Sequence, residues 1–207
     1  MPSISYAITA CNEHDELYRL LLQLTTHIRP EDEIVVQIDS MNATTEVMAV
    51  LATYHDKIHN SISFSLMGDF ASFKNNLKEH CTKDYIFQID ADEYLSNELI
   101  EYLPEILEMN PEIEMYEVPR INTVEGLTPG HILKWGWRVN EKGWVNYPDH
   151  QQRVFKNIDK IKWVNKVHER IIGARTISPL PDGFNLNLFH PKTIERQERQ
   201  NNFYNTL

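Results

Sequence analysis

Over its first 110 residues the chain switches four times between a two-residue and a 3.6-residue hydrophobic period, and this alternation restricts the fold most. Ile4, Tyr6 and Ile8 alternate as in a strand; Asn12 can then cap a helix whose Leu17, Leu20, Leu21, Leu24 and Ile28 form one apolar stripe. Glu33 to Asp39 (EIVVQID) predicts a second strand, and Thr44 or Thr45 opens a helix with Val47, Val50, Leu51 and Tyr54 turned inward. Ile62, Phe64 and Leu66 alternate again, followed by a helix carrying Phe70, Phe73, Leu77 and Cys81. The fourth unit runs from Tyr85 to Ile89, then from Ser96 to about Met109, with a kink expected at Pro104. Four strand-helix pairs in succession imply an α/β fold: a mostly parallel, Rossmann-like sheet with right-handed crossovers, flanked by helices. Ligands of such sheets sit beyond the carboxyl ends of the strands, which directs attention to Ala10 to Glu13, Asp39 with Ser40, and Asp90 to Glu93.

After Pro119 the pattern breaks into short segments rich in Trp and β-branched residues: Ile132 to Val139, Arg153 to Lys156, Ile161 to Val164 and Leu186 to His190. These read as a mixed or antiparallel extension, closed by a polar helix from Lys192 to about Tyr204. Residues 1–119 are thus expected to form a ligand-binding βα half and residues 120–207 an acceptor-side half of the same single domain, which 207 residues fit.

Charge separates the halves. The first carries 22 acidic and 6 basic side chains, the second 8 acidic and 14 basic, and no Lys or Arg interrupts the eleven carboxylates between Lys83 and Arg120. The net charge of −10 disfavours indiscriminate binding to nucleic acid or anionic lipid. Seven glycines, none before Gly68, exclude the glycine-rich phosphate loops G-x-G-x-x-G and G-x-x-x-x-G-K-[ST], so a bound diphosphate needs a metal or basic side chains. Two cysteines, no leader-like start and no apolar run of 18 residues point to a cytoplasmic protein without a transmembrane segment.

Asp90-Ala91-Asp92 follows the apolar strand YIFQI; residues i and i+2 project to one side, where two carboxylates can approach a hard cation such as Mg²⁺ or Mn²⁺. About 0.6 such triplets are expected by chance with this aspartate content, so the position after a buried strand carries the signal, a charge there being costly unless a cleft opens. The run Phe70 to Leu103 (FASFKNNLKEHCTKDYIFQIDADEYLSNELIEYL) resembles the nucleotide-sugar signature of family 2 glycosyltransferases of the GT-A fold. It is most similar to the bacterial and phage branch that includes lipopolysaccharide core transferases. ISYAITACNEHDEL, IDS, QRVFKNIDKIKWVNKVHERI and LFHPKTIERQERQNNFY agree with that family in order and spacing.

The resemblance implies an inverting transfer of a sugar from a nucleotide diphosphate donor, a UDP-sugar being expected, to a glycan or other hydroxyl acceptor. It places Asn12, Glu13, Asp39, Lys74 and Asp90 at the nucleotide, Asp92 and His190 at Mn²⁺ or Mg²⁺, and Glu169 of the pair His168-Glu169 as catalytic base, with Asp149 the weaker candidate. Arg153, Lys192 and Arg196 could offset charge on the leaving diphosphate. Structural roles compete with each: capping for Glu13 and Asp39, an exposed lysine for Lys74, an ion pair with Arg170 or Lys166 for Glu169, and a backbone-bonded core histidine for His190. Trp135, Trp137, Trp144 and Trp163 could stack on sugar rings or simply fill core and rim. Met41-Asn42 departs from the family pattern after the D-S pair, and the short C-terminal end suggests single rather than processive transfer. A catalytically degenerate domain that binds a glycan or a protein is the alternative. Phosphatase chemistry of the haloacid dehalogenase type fits poorly, because D-x-D here follows the fourth strand and not the first.

Overall fold

The computed structural model describes residues 1–204; for residues 202–204 only the helical backbone is described. The first half contains β1 (Ile4–Ala10), α1 (His14–His27), β2 (Glu33–Asp39), α2 (Thr45–Thr53), β3 (Asn60–Phe64), α3 (Phe70–Glu79), β4 (Tyr85–Asp90), the short β5 (Tyr94–Leu95) and α4 (Asn97–Met109). The second adds β6 (Met115–Glu125), α5 (Pro129–Trp135), β7 (Val145–Lys156), β8 (Lys162–Val164), β9 (Arg170–Ile172), β10 (Ile177–Pro179), β11 (Leu188–Thr193) and α6 (Ile194–Tyr204).

One nine-stranded sheet takes strands from both halves in the order β3-β2-β1-β4-β7-β6-β11-β5, with β10 also paired to β6. β1 to β4 are mutually parallel, β7 runs against both β4 and β6, and β11 lies parallel to β6. The sheet is therefore α/β and mixed, broadly Rossmann-like, with β8 and β9 forming a separate ribbon. No helix among the described residues is long and apolar enough to cross a membrane.

Both faces of the central strands are covered, which explains why β1, β2 and β4 read as nearly continuous apolar runs. Ile4, Tyr6 and Ile8 face α1 and α4 with Ile34, Val36, Phe87 and Ile89, whereas Ala7, Val35 and Ile86 face α3 and the β8-β9 ribbon. The stripe Leu17, Leu20, Leu21 and Leu24 is fully buried, each side chain contributing about 1.5–3 kcal/mol. Gly173 closes the base of the ribbon: at φ 93° its Cα lies so close to the Lys160 carbonyl that a Cβ would stand 1.8 Å from that oxygen.

Several boundaries depart from the periodicity. α1 is entered at Glu13 and not Asn12, and β3 starts two residues early; α4 runs from its Ser96 cap to Met109 as expected, with Pro104 inside it. Ile132 to Val139 is not a strand. Thr128 accepts a hydrogen bond from the His131 amide, Pro129 supplies a preset φ at the first turn, and Gly136 at φ 64° ends the helix, so α5 forms there instead. Pro119, with the charged Glu117 and Arg120 on either side of it, hides β6 in the sequence. In the sheet, β10 pairs with Met115–Glu117 and β11 begins at Arg120, so the residue lacking an N–H falls in the gap between two neighbours.

Candidate active site

The winding of the sheet reverses at β1, which has β2 on one side and β4 on the other, and this is where parallel sheets open a crevice. A cavity of about 670 Å³ lies there, over the carboxyl ends of β1, β2 and β4 and walled by β6, β7, the β8-β9 ribbon and β11. Glu13, Asp39, Lys74, Asp90, Asp92, Arg153, Glu169, His190 and Lys192 all line it. Asn12 is exposed and Arg196 stands behind Asp92; neither is among the lining residues.

The two loop acids are held by backbone amides. Glu13 Oε2 accepts from the Cys11 and Asn12 amides at 2.8 and 3.0 Å, fixing the loop after β1 while making no side-chain bond to the helix it opens. Asp39, 2% exposed, accepts from the Met41 and Leu66 amides and from Asn42 Nδ2, so it shapes the turn in which the sequence departs from the family pattern.

The carboxylates of D-x-D have different surroundings. Asp90 Oδ1 accepts from Thr9 Oγ1 at 2.9 Å, across the β1-β4 register pair; its Oδ2 meets Arg153 Nη2 at 2.9 Å, and Lys74 Nζ lies 3.5 Å from Oδ1. Burial pushes the Asp90 carboxyl upward, but the charges of Lys74 and Arg153 outweigh it and hold the group well below the usual carboxylate range. Asp92 faces His190 Nε2 at 3.1 Å and Arg196 at 3.3 Å; against the upward push of burial, the His190 hydrogen bond and charge bring it to about 2.

Lys74 is no exposed helical lysine. It is 4% exposed, its Nζ donates to Glu169 Oε1 at 2.8 Å and lies 4.7 Å from the Trp163 ring centroid, so one buried ammonium links Glu169 to Asp90. The ion-pair partner of Glu169 is thus Lys74, and not Arg170 or Lys166. Glu169 follows His168, at φ 52°, in the loop joining β8 to β9.

His190 is 7% exposed, and its orientation is fixed by a chain of bonds. Asp149 Oδ2 accepts from Asn122 Nδ2 at 2.8 Å, which turns the Asn122 carbonyl toward His190 Nδ1 at 2.9 Å. A carbonyl can only accept, so Nδ1 carries a proton. Nε2 then meets Asp92 either as the second N–H of an imidazolium or as a lone pair sharing a cation with the carboxylate. The donor set of a divalent site whose imidazole is oriented from behind has this form. Among the described residues no three His, Cys, Asp or Glu surround one point, so Asp92 and His190 could supply only part of a coordination shell. Such partial sites suit Mg²⁺ and Mn²⁺, which keep waters and take phosphate oxygens.

Of the three cations proposed for the diphosphate, Arg153 is bound by Asp90 and Glu93, and Arg196 by Glu13, Glu16 and Asp92. Only Lys192 makes no carboxylate ion pair among the described residues; its Nζ donates to Gln200. Burial lowers its pKa, because the charged form loses water. Asp149 accepts Nε and Nη2 of Arg120, Nδ2 of Asn122 and Nε2 of Gln151; although burial acts upward, Arg120 leads in holding it below the usual range, which leaves a poor base.

Glu93 and Arg120 were given no role from sequence. Glu93, 2% exposed, accepts from Arg120 at 3.0 Å, Arg153 at 2.7 Å and the Asp90 amide at 3.1 Å, and so sets the position of D-x-D from beneath. A signal existed for Arg120: it is the first cation after the long acidic run.

Known proteins resemble this chain in sequence and in fold. The chain is 30% identical over 141 residues to the lipopolysaccharide core biosynthesis glycosyltransferase LpsC of Rhizobium meliloti (strain 1021), a match covering 67% of this chain and 47% of that protein. It therefore spans about half the length of that curated relative. Among solved structures, S. aureus TarS 1-349 in complex with UDP-GlcNAc superposes with a TM-score of 0.65 at 14% identity, covering 93% of this chain and 59% of the other. The mannosyltransferase PcManGT from Pyrobaculum calidifontis, in complex with GDP-Man and Mn²⁺, gives 0.50 at 15% identity, covering 57% and 36%. At these identities the two structures speak for the fold alone. The family described as Glycosyl transferase family 2 matches residues 5–173, most of the sheet and nearly all of the cavity wall, and the chain belongs to that family.

Proposed function

We propose that this chain, on a sheet of the GT-A type, transfers a sugar from a nucleotide diphosphate donor, a UDP-sugar, to a hydroxyl acceptor with inversion at the anomeric carbon. The observation that carries the reading is the convergence of Asp39, Asp90 and Asp92, from two strand ends, on the same cavity as Lys74, Glu169 and His190. The ligands of the two fold neighbours, UDP-GlcNAc in one and GDP-Man with Mn²⁺ in the other, support a nucleotide-sugar donor and a divalent ion. Two free cysteines suit action in the cytoplasm.

Asp39 has about four acceptor positions, two of them taken by its own turn and one by the Leu66 amide, and the fourth receives the N3 hydrogen of uracil. Asp90, kept ionised by Lys74 and Arg153, accepts a ribose hydroxyl. Asp92 and His190 hold Mn²⁺ or Mg²⁺, which when bound would neutralise charge on the diphosphate as it departs. Lys192 adds a cation from β11. Glu169 takes the proton of the acceptor hydroxyl as that oxygen bonds to the anomeric carbon and the bond to the diphosphate breaks. Lys74 fixes Glu169 through Oε1 during this step.

Asp92→Asn tests the assignment, since the amide keeps the shape and removes the charge. Metal-dependent transfer should fall by about 10²-fold or more, the loss typical of one electrostatic contact to the transition state, with the fold intact by circular dichroism. Retained turnover rejects the site. Saturable nucleotide binding by the unmodified protein with neither transfer nor hydrolysis would replace the enzyme by a glycan-binding module.

A further inference from the structure

The β8-β9 ribbon carries Glu169 in its loop but lies outside the main sheet, its two strands of three residues pairing only with each other. A two-stranded ribbon is marginally stable at best by itself, so the body must hold it over the donor cavity. Packing supplies part of that hold: Trp163 and Ile171, both buried, join the apolar cluster of Leu77, Cys81 and Phe155. Apolar burial is non-directional and would let the ribbon slide or tilt. Its orientation rests on hydrogen bonds. One of these is made by main chain alone, from the Phe70 amide to the Lys166 carbonyl at 2.9 Å, and the side-chain bonds converge on a single rung.

Trp163 of β8 stands opposite Ile171 of β9. From α3, Asn75 Nδ2 donates to the Trp163 carbonyl and Asn75 Oδ1 accepts from the Trp163 amide, both at 2.9 Å. One side chain thus completes both backbone groups of a strand residue, as a neighbouring strand would. From β7, Gln152 Oε1 accepts from the Ile171 amide at 2.9 Å. The rung is therefore held through both of its strands, by elements that belong to the body. Glu169 lies two residues before Ile171, and its surroundings leave little slack: Lys74 Nζ is 2.8 Å from Glu169 Oε1 and 3.5 Å from Asp90 Oδ1. A tilt that carries Glu169 about 1 Å away breaks its bond to Lys74 and misplaces it against a reacting hydroxyl.

We propose that Asn75 and Gln152 are positioning residues for Glu169: their side-chain amides clamp the Trp163-Ile171 rung and so hold the base at the hydroxyl it deprotonates. The inference deepens the transferase reading and rests on Glu169 being the base. Both residues act through the ribbon backbone, to which their bonds go, and not on the carboxylate itself. Lys74 and Asn75, adjacent on α3, divide the work: the first holds the carboxylate and the second holds the strand that presents it.

Hydrogen exchange read by mass spectrometry, combined with the kinetics of donor hydrolysis, tests it. Asn75→Ala should speed amide exchange over residues 162–172 by about tenfold or more and leave β1 and β4 as they were. Gln152→Leu should do the same, whereas Gln152→Glu, which keeps the acceptor for the Ile171 amide, should retain slow exchange. Hydrolysis is followed with UDP-glucose, UDP-galactose and UDP-N-acetylglucosamine in Mn²⁺, water taking the place of the acceptor and giving its proton to Glu169. For the sugar that turns over, Asn75→Ala should lower kcat by about tenfold or more with the donor KM within about twofold, because no group that holds the donor is removed. Asn76→Ala, one position along α3 and without a bond to the ribbon among the described residues, should change neither reading. Unchanged ribbon exchange in Asn75→Ala, or faster exchange with kcat unaltered, overturns the clamp and leaves the transferase reading standing. Full turnover by Glu169→Gln, or no turnover of any donor by the unmodified protein, would instead count against the transferase reading and take the clamp's role with it.

Discussion

Replacing Glu93 by glutamine removes a single negative charge from between two guanidinium groups. The side chain is 1% exposed; its Oε1 receives Arg153 at 2.7 Å and Arg120 at 3.0 Å, and its Oε2 receives the Asp90 amide. Glutamine preserves the shape and one acceptor, but its NH₂ faces either a guanidinium or the Asp90 amide, each already a donor. Breaking a buried ion pair from one side costs about 3–5 kcal/mol, because the partner charge stays buried without compensation. For a chain of this size, at about 2–4 °C per kcal/mol, the melting temperature should fall by about 6–20 °C. Glu31→Gln provides the contrast. That carboxylate also meets an arginine, Arg29 at 3.1 Å, but is 50% exposed, and screened surface pairs contribute at most about 1 kcal/mol. Differential scanning calorimetry of both variants separates the cases. If Glu93→Gln melts within 2 °C of the unmodified protein, the charges beneath D-x-D are hydrated and the argument for their rigidity is wrong.

Asn122→Leu removes the acceptor that fixes the His190 ring; Mn²⁺ affinity, followed by electron paramagnetic resonance with UDP present, should drop by about 10–100-fold, and an unchanged affinity would exclude the bond chain from Asp149 to His190. Asp90, Asp92, Asp149 and Glu33 all have folded pKa values below their ordinary ones. Their stabilisation is fully present above the unfolded values, 3.8 for aspartate and 4.5 for glutamate, and is lost as pH falls from there toward the folded values, about 2 for Asp92. Urea midpoints should therefore be flat above pH 5 and decline steadily from pH 4.5 to 3; a constant midpoint over that lower range would contradict the ion-pair geometry.

The βα units were legible because their two periods are well separated, and the acids at strand ends were legible because a charge directly after a buried strand is tolerated only where a cleft or solvent opens. Lys74 shows where such reading stops. Its helix could be placed, but Glu169, 95 residues away, becomes its partner only when the β8-β9 ribbon packs on α3. Similarly, Glu93 and Arg120 acquire their roles from β4, β6 and β7 lying side by side, a pairing obscured by the proline in β6. α5 was misread although its signals were present in Thr128, Pro129 and Gly136: the apolar residues of a helix without a buried face carry no useful period.

The central claim is that strand-end carboxylates and one divalent ion bind a nucleotide diphosphate. Thermal shift of the unmodified protein with UDP-, GDP-, dTDP- and CMP-sugars, with and without Mn²⁺, tests it directly. A ligand at one hundred times its Kd stabilises by about 2.7 kcal/mol, so a UDP-sugar with Mn²⁺ should raise the melting temperature by about 5–11 °C and the same sugar without metal by much less. No shift with any nucleotide sugar, or an equal shift when the metal is chelated, would contradict it.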